Sequence, residues 1–291
     1  MDKQLIILPF DHRHSFLRDI LGLKKNPSWR QKKQVTALKQ IIFDAFLLAA
    51  KNCRQPQNLA ILIDEEYGAK IIKQAQKRKI KICLPVEKSG QDEFDFNYSE
   101  KFSSHITKIK PDYVKALVRY NPLEKEKNKR QLSKLKKLSD WCRQKHYPLI
   151  LELLVPPTDQ DLKLAGSRKQ YDQKLRGRRT IAAIKEIRKA LTIALWKLEG
   201  YDDELSCRQI THAVGPREKI IILGRGENKS QVERWLKNSK PNQNVIGFAI
   251  GRTIFLKALQ QYVANPKNKK QTTEIIAKNF LHFINYWENI K

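Results

Sequence analysis

The chain has 291 residues, and its 58 Lys and Arg against 30 Asp and Glu give a formal net charge of +28. Hydrophobic residues make up 41% of the sequence, which suffices for a sizeable core and argues against a disordered polycation. No run approaches the roughly 20 apolar residues of a membrane span, and the four scattered cysteines form no CxxC pair, so zinc sites and disulfide frameworks are poorly supported.

Short apolar runs alternate along the chain with stretches of helical spacing. The runs predict eight strands, at residues 5–8, 59–63, 80–84, 113–118, 149–155, 193–198, 220–223 and 245–250. Helical spacing is found at residues 35–49, 71–77, 132–142, 180–189, 203–213, 231–236 and 272–287. The alternation predicts an α/β protein with a mainly parallel sheet, and the strand count and length favour a single (β/α)8 TIM barrel over residues 1–291.

Two long polar connections, at residues 86–110 and 156–170, follow the third and fifth strands. In such a barrel they lie on the face where the active sites of this fold are found. The residues at the carboxyl ends of the strands are therefore the candidates for chemistry. The first of the two connections is polar and rich in aromatic residues. It is the weakest of the helical candidates and is expected to be partly loop.

The sixth strand places a lysine inside the predicted barrel. Alternation puts Lys197 and Glu199 on the face opposite the large apolar residues Trp196 and Leu198, which suit packing against the outer helices. A lysine inside a barrel is costly unless it is paired or functional. Two interpretations stay open here: a Schiff-base nucleophile, and a structural Lys197–Glu199 ion pair.

Three further charged residues share this placement. Glu152 lies on the inward face of the fifth strand, Lys115 on that of the fourth, and Asp11 follows the first strand. Each of them has a structural explanation when it is taken alone. Together with Lys197 they lie near the ends of different strands with the same inward parity, and this convergence favours a catalytic site.

The seventh and eighth strands each end in a glycine-arginine pair. These pairs are Gly224-Arg225 and Gly251-Arg252. Barrels often bind phosphate with the loops after these two strands, and arginine adds bidentate charge, so the pairs predict a phosphate site. The alternative is two tight turns with arginines that face solvent.

Other polar residues near strand ends carry weaker signals. His12 and His14 have no third metal ligand nearby in sequence, and a role in a turn is favoured for them. Asp64 and Glu65 follow the second strand; they would either orient a substrate or cap the next helix, and capping is favoured.

The strand-end motifs together resemble a known family. The segments that carry the resemblance are PFDHR, IDEEYG, RYNP, LELLVPPT, WKLEG, LGRG and IGFAIGRTIF. They are similar to an aldolase-like bacterial domain that occurs alone or fused to the C-terminal side of 5-dehydro-2-deoxygluconokinase in myo-inositol catabolism. The resemblance covers about residues 5–287. More distantly, the chain is similar to class I tagatose-bisphosphate aldolases, which are metal-independent barrels.

This resemblance implies a set of roles. Lys197 would be the Schiff-base lysine, Glu152 the proton-transfer carboxylate, and Lys115 and Asp11 their supporting residues. Lys115 would also depress the pKa of Lys197 by repulsion of like charges. His14 departs from the family, because most relatives have glycine at that position.

The implied reaction is a lyase reaction of carbohydrate metabolism without a metal or other cofactor. The first-choice substrate is 2-deoxy-5-keto-gluconate 6-phosphate, cleaved to dihydroxyacetone phosphate and malonate semialdehyde. The glycine-arginine turns would bind its phosphate. Another ketose phosphate, such as tagatose bisphosphate, is the alternative. We expect a cytoplasmic protein whose partner is a small phosphorylated sugar or sugar acid, with a homo-oligomer possible.

The high positive charge suggests a rival class, a non-catalytic barrel that binds nucleic acid or a kinase partner. Residues 124–145 hold nine Lys and Arg against three acids, and residues 162–189 hold ten against two. Both stretches include predicted outer helices, so their charge is interpreted as a solvated exterior. The sequence has no basic stripe interleaved with aromatic residues, and specific nucleic-acid binding is not expected.

Overall fold

The structure is a computed structural model that describes residues 4–23 and 27–290. Eight parallel strands follow one another in chain order and close into a barrel. They are β1 (Leu5–Pro9), β2 (Leu59–Leu62), β3 (Lys81–Pro85), β4 (Tyr113–Arg119), β5 (Leu149–Leu154), β6 (Leu195–Glu199), β7 (Lys219–Leu223) and β8 (Val245–Ala249). The predicted (β/α)8 TIM barrel is confirmed, and each predicted strand is present.

Twelve α-helices surround the barrel in the described part of the chain. They are α1 (His14–Leu21), α2 (Trp29–Lys51), α3 (Glu65–Lys77), α4 (Phe102–Ile109), α5 (Lys125–Gln144), α6 (Asp159–Ala165), α7 (Arg168–Lys174), α8 (Arg176–Ala190), α9 (Glu204–Val214), α10 (Lys229–Ser239), α11 (Arg252–Ala264) and α12 (Lys269–Asn289). The seven predicted helices are confirmed. Helix α4 lies within the weakest helical candidate, residues 86–110. Helices α1, α6 and α7 were missed because they are too short for a 3.6-residue period to stand out.

Helix α11 was also missed, although its buried residues Ile254, Phe255, Ala258 and Leu259 do follow the helical period. The connection after β3 is partly loop, as predicted. It contains an isolated bridge between Glu87 and Phe96 and then a short 3-10 turn before α4. The connection after β5 is instead mostly helical, since α6 and α7 lie within or overlap it.

Two apolar layers fix the direction in which the strand side chains point. The barrel interior is filled by Leu5, Ile7, Ala60, Leu62, Cys83, Tyr113, Ile150, Leu195, Ile221, Ile246 and Ala249. Trp196 and Leu198 belong to the other layer, between the strands and the helices. The predicted parity of β6 is therefore confirmed, and Lys197 projects inward above Leu195.

The barrel closes where β8 pairs with β1. Gly247 lies opposite Leu5 in this pairing, and a methyl group on Gly247 would overlap the carbonyl of Leu5. This position therefore has no room for a side chain. The closure brings the residues that follow β1 and β8 to the same rim of the barrel.

None of the helices in residues 4–23 and 27–290 combines the length and the apolar character needed to cross a bilayer. Helix α5 carries most of the first basic stretch, and its lysines lie largely at the surface. The second basic stretch differs from expectation. Arg176 at the start of α8 is only 4% exposed, so the interpretation of this stretch as a solvated exterior is wrong for that residue.

Candidate active site

A cavity of about 430 Å³ opens at the carboxyl ends of the strands. All eight residues predicted for the site line it: Asp11, Lys115, Glu152, Lys197, Gly224, Arg225, Gly251 and Arg252. They come from β4, β5 and β6 and from the turns after β1, β7 and β8. The fold therefore brings these eight residues together at one cavity, although they span more than 240 positions of the sequence.

Two lysines in the cavity share one carboxylate oxygen. Glu152 lies opposite Lys197 in the pairing of β5 with β6. Glu152 Oε2 is 2.9 Å from Lys197 Nζ and 2.8 Å from Lys115 Nζ. Both ammonium nitrogens are thus within about 6 Å of each other, the range in which like charges affect one another's protonation.

Lys115 has the larger set of carboxylate partners. Besides Glu152, its Nζ lies 2.6 Å from Glu87 Oε1 and 3.1 Å from Asp11 Oδ2. Burial alone would lower the pKa of Lys115, but the charges of Asp11, Glu152 and Glu87 outweigh burial and raise it well above its usual range. Lys115 is therefore a permanent cation at neutral pH.

The carboxylates around Lys115 differ in their pKa values. Burial would raise the pKa of Glu152, but Lys115 and Lys197 outweigh burial and lower it to about 2. The same balance, with Lys115 the largest charge, holds the pKa of Asp11 well below its usual range. For Glu87 burial prevails, and the pKa is raised. Glu152 and Asp11 are thus ionised at neutral pH.

Glu87 is a site residue that the sequence reasoning missed. It lies in the connection after β3, is 8% exposed and lines the cavity. Its backbone carbonyl accepts a 2.5 Å hydrogen bond from Arg13 Nη2, which ties the turn after β1 to the connection after β3. Glu87 follows the end of β3 by two residues, as Asp11 follows the end of β1, so the strand-end rule applied to Asp11 would also have found it.

The predicted alternative of a structural Lys197–Glu199 ion pair is wrong. Glu199 Oε1 instead lies 3.1 Å from Arg225 Nε, and Glu199 Oε2 lies 3.6 Å from Arg176 Nη1. The last residue of β6 is drawn toward the helices that follow β5, whereas Lys197 contacts the neighbouring strand. This difference separates the two charges that the sequence places side by side.

The two glycine-arginine turns lie together at one end of the cavity. Arg225 and Gly226 have φ values of +54° and +83°, the left-handed region. Arg252 begins α11, and its Nη2 donates a 2.8 Å hydrogen bond to the carbonyl of Arg225. The side chains of Arg225 and Arg252 are 22% and 31% exposed, so the alternative of solvent-facing arginines is wrong.

This end of the cavity suits an anion. Gly251 precedes α11 and provides no side-chain cap, so the first N–H groups of the helix have no partner within it. A helix N-terminus carries a partial positive charge, to which Arg252 adds a full one. A methyl group on Gly251 would meet the carbonyl of Pro9, so this close approach of the chain requires glycine.

The histidines after β1 both lie at the cavity. Burial lowers the pKa of His12 to about 4, so His12 is neutral at neutral pH. His14 begins α1 and its ring lies next to Gly90, across the rim of the cavity. In the described parts of the chain no three or more His, Cys, Asp and Glu side chains are grouped so as to hold a metal ion.

Asp64 is a helix cap, as favoured by the sequence. Its side chain accepts a 2.8 Å hydrogen bond from the backbone N–H of Tyr67 at the start of α3. Glu65 binds a different partner, since its Oε2 lies 2.8 Å from His105 Nδ1. Neither residue lines the cavity at the barrel mouth.

The fold and the cavity define a (β/α)8 barrel with a charged site at the carboxyl ends of its strands, an architecture that is commonly enzymatic. The chain belongs to the family described as "Uncharacterized protein conserved in bacteria (DUF2090)", whose model matches residues 1–291. No curated protein matches this sequence.

Among solved structures, the chain is similar to Cgl0159 from Corynebacterium glutamicum (Brevibacterium flavum). The TM-score is 0.61 at 14% sequence identity, over 96% of this chain and 86% of that one. A likeness at this level of identity shows a shared fold.

Proposed function

We propose that the protein is a class I aldolase, a lyase that cleaves a carbon–carbon bond through a Schiff base on Lys197. The observation that carries this proposal is the placement of Lys197. It is 5% exposed, lies at the carboxyl end of β6 inside the cavity, and contacts Glu152 at 2.9 Å. Imine chemistry needs an amine nucleophile inside the cavity and a nearby group that can move protons, and Lys197 and Glu152 supply these two parts.

Lys197 is a better candidate nucleophile than Lys115. Three carboxylates surround Lys115 and hold it in the charged form, which cannot attack a carbonyl. Lys197 contacts the one carboxylate that it shares with Lys115.

The proposed reaction starts when the neutral amine of Lys197 attacks the ketone of the substrate. The resulting carbinolamine takes up one proton from solvent and loses water to form an iminium. Asp11 assists this dehydration, because its ionised carboxylate stabilises the positive charge that forms. Glu152 then accepts the proton of the substrate hydroxyl, the carbon–carbon bond breaks, and the bonding electrons move to the iminium to give an enamine and an aldehyde. Glu152 then returns its proton to the enamine carbon. Hydrolysis of the resulting iminium consumes one water, releases the second product and one proton, and restores the neutral amine of Lys197.

No metal is needed in this sequence of steps, because the iminium itself accepts the electrons of the broken bond. The turns after β7 and β8 would bind the substrate phosphate, with Arg252 the main charged contact. The preferred substrate is 2-deoxy-5-keto-gluconate 6-phosphate, which would give dihydroxyacetone phosphate and malonate semialdehyde. The resemblance of the strand-end motifs supports this choice.

Reduction of the imine tests the proposal. Incubation with dihydroxyacetone phosphate and sodium borohydride should leave a stable adduct, and peptide mass spectrometry should locate it on Lys197. Lys197→Met is the matched control and should form no adduct. The proposal fails if wild-type protein forms no adduct or if the adduct maps to another lysine.

A further inference from the structure

Four charged side chains form a closed ring beside the turn at residues 224–226. Arg225 contacts two carboxylates, with Nε 3.1 Å from Glu199 Oε1 and Nη2 3.1 Å from Asp172 Oδ2. Arg176 completes the ring, with Nη1 3.6 Å from Glu199 Oε2 and Nε 3.3 Å from Asp172 Oδ1. We call this arrangement the four-charge ring. Its two arginines and two carboxylates alternate, so it carries no net charge.

The four-charge ring joins three separate parts of the barrel mouth. Glu199 ends β6, Arg225 follows β7, and Asp172 and Arg176 come from helices α7 and α8 after β5. Arg176 is anchored further, because its Nη2 donates a 3.0 Å hydrogen bond to the carbonyl of Gly200 and its guanidinium lies 4.1 Å from the ring centre of Tyr201. The four-charge ring is therefore fixed to the barrel on the side away from Arg225.

This anchoring determines the role of Arg225. A residue other than glycine at φ +54° is in a conformation that costs free energy and persists where its surroundings enforce it. Glu199 and Asp172 hold the Arg225 side chain, and Arg252 donates to the Arg225 carbonyl from the other side. Contacts to both the side chain and the backbone carbonyl of Arg225 therefore hold the turn in this conformation.

The four-charge ring also gives the two arginines at the anion-binding end of the cavity different roles. The charge of Arg225 is balanced by two carboxylates at 3.1 Å. Within residues 4–23 and 27–290, Arg252 has one carboxylate partner, Asp19, at 3.8 Å. Arg252 therefore supplies positive charge for an anion. Arg225 supplies a correctly placed backbone.

We propose that Asp172 and Glu199 are positioning residues which, through Arg225, set the turn at residues 224–226 for binding a phosphate group. The inference rests on the proposed function for the location of the phosphate. It adds that Asp172, which lies on α7 and does not line the cavity, takes part in phosphate binding through Arg225.

Titration with inorganic phosphate tests this proposal directly. Isothermal titration calorimetry should show dissociation constants about tenfold higher for Asp172→Asn and Glu199→Gln than for wild type. Asp172→Glu keeps the charge and should restore most of the affinity. Arg225→Lys keeps a cation but cannot bridge both carboxylates, so it should also weaken phosphate binding. If either carboxylate variant does not fold, the test uses Arg225→Lys in its place.

Asp161→Asn is the matched control. Asp161 lies on α6, which precedes α7 between β5 and β6. It is fully buried and pairs with Arg179 at 2.9 Å, but it does not belong to the four-charge ring. This variant should lose thermal stability and keep its phosphate affinity. The proposal is overturned if Asp161→Asn weakens phosphate binding as much as Asp172→Asn does, or if the ring variants bind phosphate like wild type.

Borohydride trapping separates this inference from the proposed function. In Asp172→Asn the half-saturating concentration of dihydroxyacetone phosphate should rise more than that of dihydroxyacetone, which has no phosphate. Equal rises for both ligands contradict the positioning role. If wild-type protein forms no adduct at all, the aldolase proposal fails, while the phosphate titrations still decide the role of the four-charge ring.

Discussion

Two buried lysine–carboxylate pairs in this barrel have different surroundings. Lys39 on α2 pairs with Asp64 at the start of α3, and both are at most 1% exposed. Asp64 also accepts the backbone N–H of Tyr67, and the aromatic rings of Phe16 and Tyr67 lie about 5.5 Å from the Lys39 ammonium. This pair has no contact with the cavity at the barrel mouth.

The pair of Lys197 and Glu152 is buried almost as deeply but borders that cavity. Glu152 serves two lysines through one oxygen, whereas Asp64 binds one lysine and caps a helix. Burial of a paired lysine therefore does not distinguish chemistry from structure. The two pairs differ in the neighbouring cavity and in the second ammonium on the same carboxylate, and the proposed function rests on the pair that has both.

The largest expected difference between the pairs is in turnover. Glu152→Gln should lower kcat by about 10²- to 10⁴-fold, because the amide cannot accept the substrate proton. Its borohydride adduct on Lys197 should still form, since the amine is retained. Asp64→Asn is the comparison variant and should keep its turnover at temperatures where it is folded. Equal losses of turnover in the two variants would contradict a chemical role that is specific to the pair of Lys197 and Glu152.

The next difference concerns folding stability. Lys39→Met leaves Asp64 buried without its cation and should lower the free energy of unfolding by about 3–5 kcal/mol. Lys197→Met should cost about 1 kcal/mol or less, because Glu152 keeps its contact with Lys115. Urea denaturation of both variants measures these values. A larger loss in Lys197→Met would show that the cavity pair is the structural one.

The smallest expected effect is a pH dependence that arises at the cavity. The pKa of His12 is lowered from 6.5 to about 4 by burial, so the unfolded chain takes up a proton before the folded protein does. His12 therefore destabilises the fold as the pH falls below 6.5, and this loss levels off below pH 4. Between pH 7 and pH 5 the loss is about 2 kcal/mol.

Between pH 7 and pH 5, the free energy of unfolding of His12→Gln should fall by about 2 kcal/mol less than that of wild type. Urea denaturation at both pH values measures this difference. The Lys39→Met variant should keep the wild-type slope, since it retains His12. Identical slopes in wild type and His12→Gln would contradict the burial argument.

Much of the fold follows from local sequence patterns. Strand β6 shows this well, because the alternation of Trp196 and Leu198 with Lys197 predicts which side chains point inward. The same rule places Lys115 and Glu152 in the barrel and Asp11 at its rim. The rule depends only on the two-residue period of a strand, which any sequence displays directly.

Local sequence patterns did not predict which charged side chains pair within the site. Glu199 is two residues from Lys197 and shares its predicted face, yet it binds arginines from the turn after β7 and from α8. Glu87 was missed although it follows the end of β3 by two residues, as Asp11 follows the end of β1. Asp172 and Arg176 belong to helices that the sequence presents as a basic, solvated stretch.

The sequence by itself therefore determined the barrel, the inward parity of its strands and the collection of charged residues at one face, since these follow from periods of two and 3.6 residues. Only the tertiary structure decided which charges pair. Asp11 and Lys115 are 104 residues apart in the chain and 3.1 Å apart in space. Such contacts depend on which connections meet at the barrel mouth, and the strength of a charge interaction depends on distance and burial, neither of which a local pattern contains.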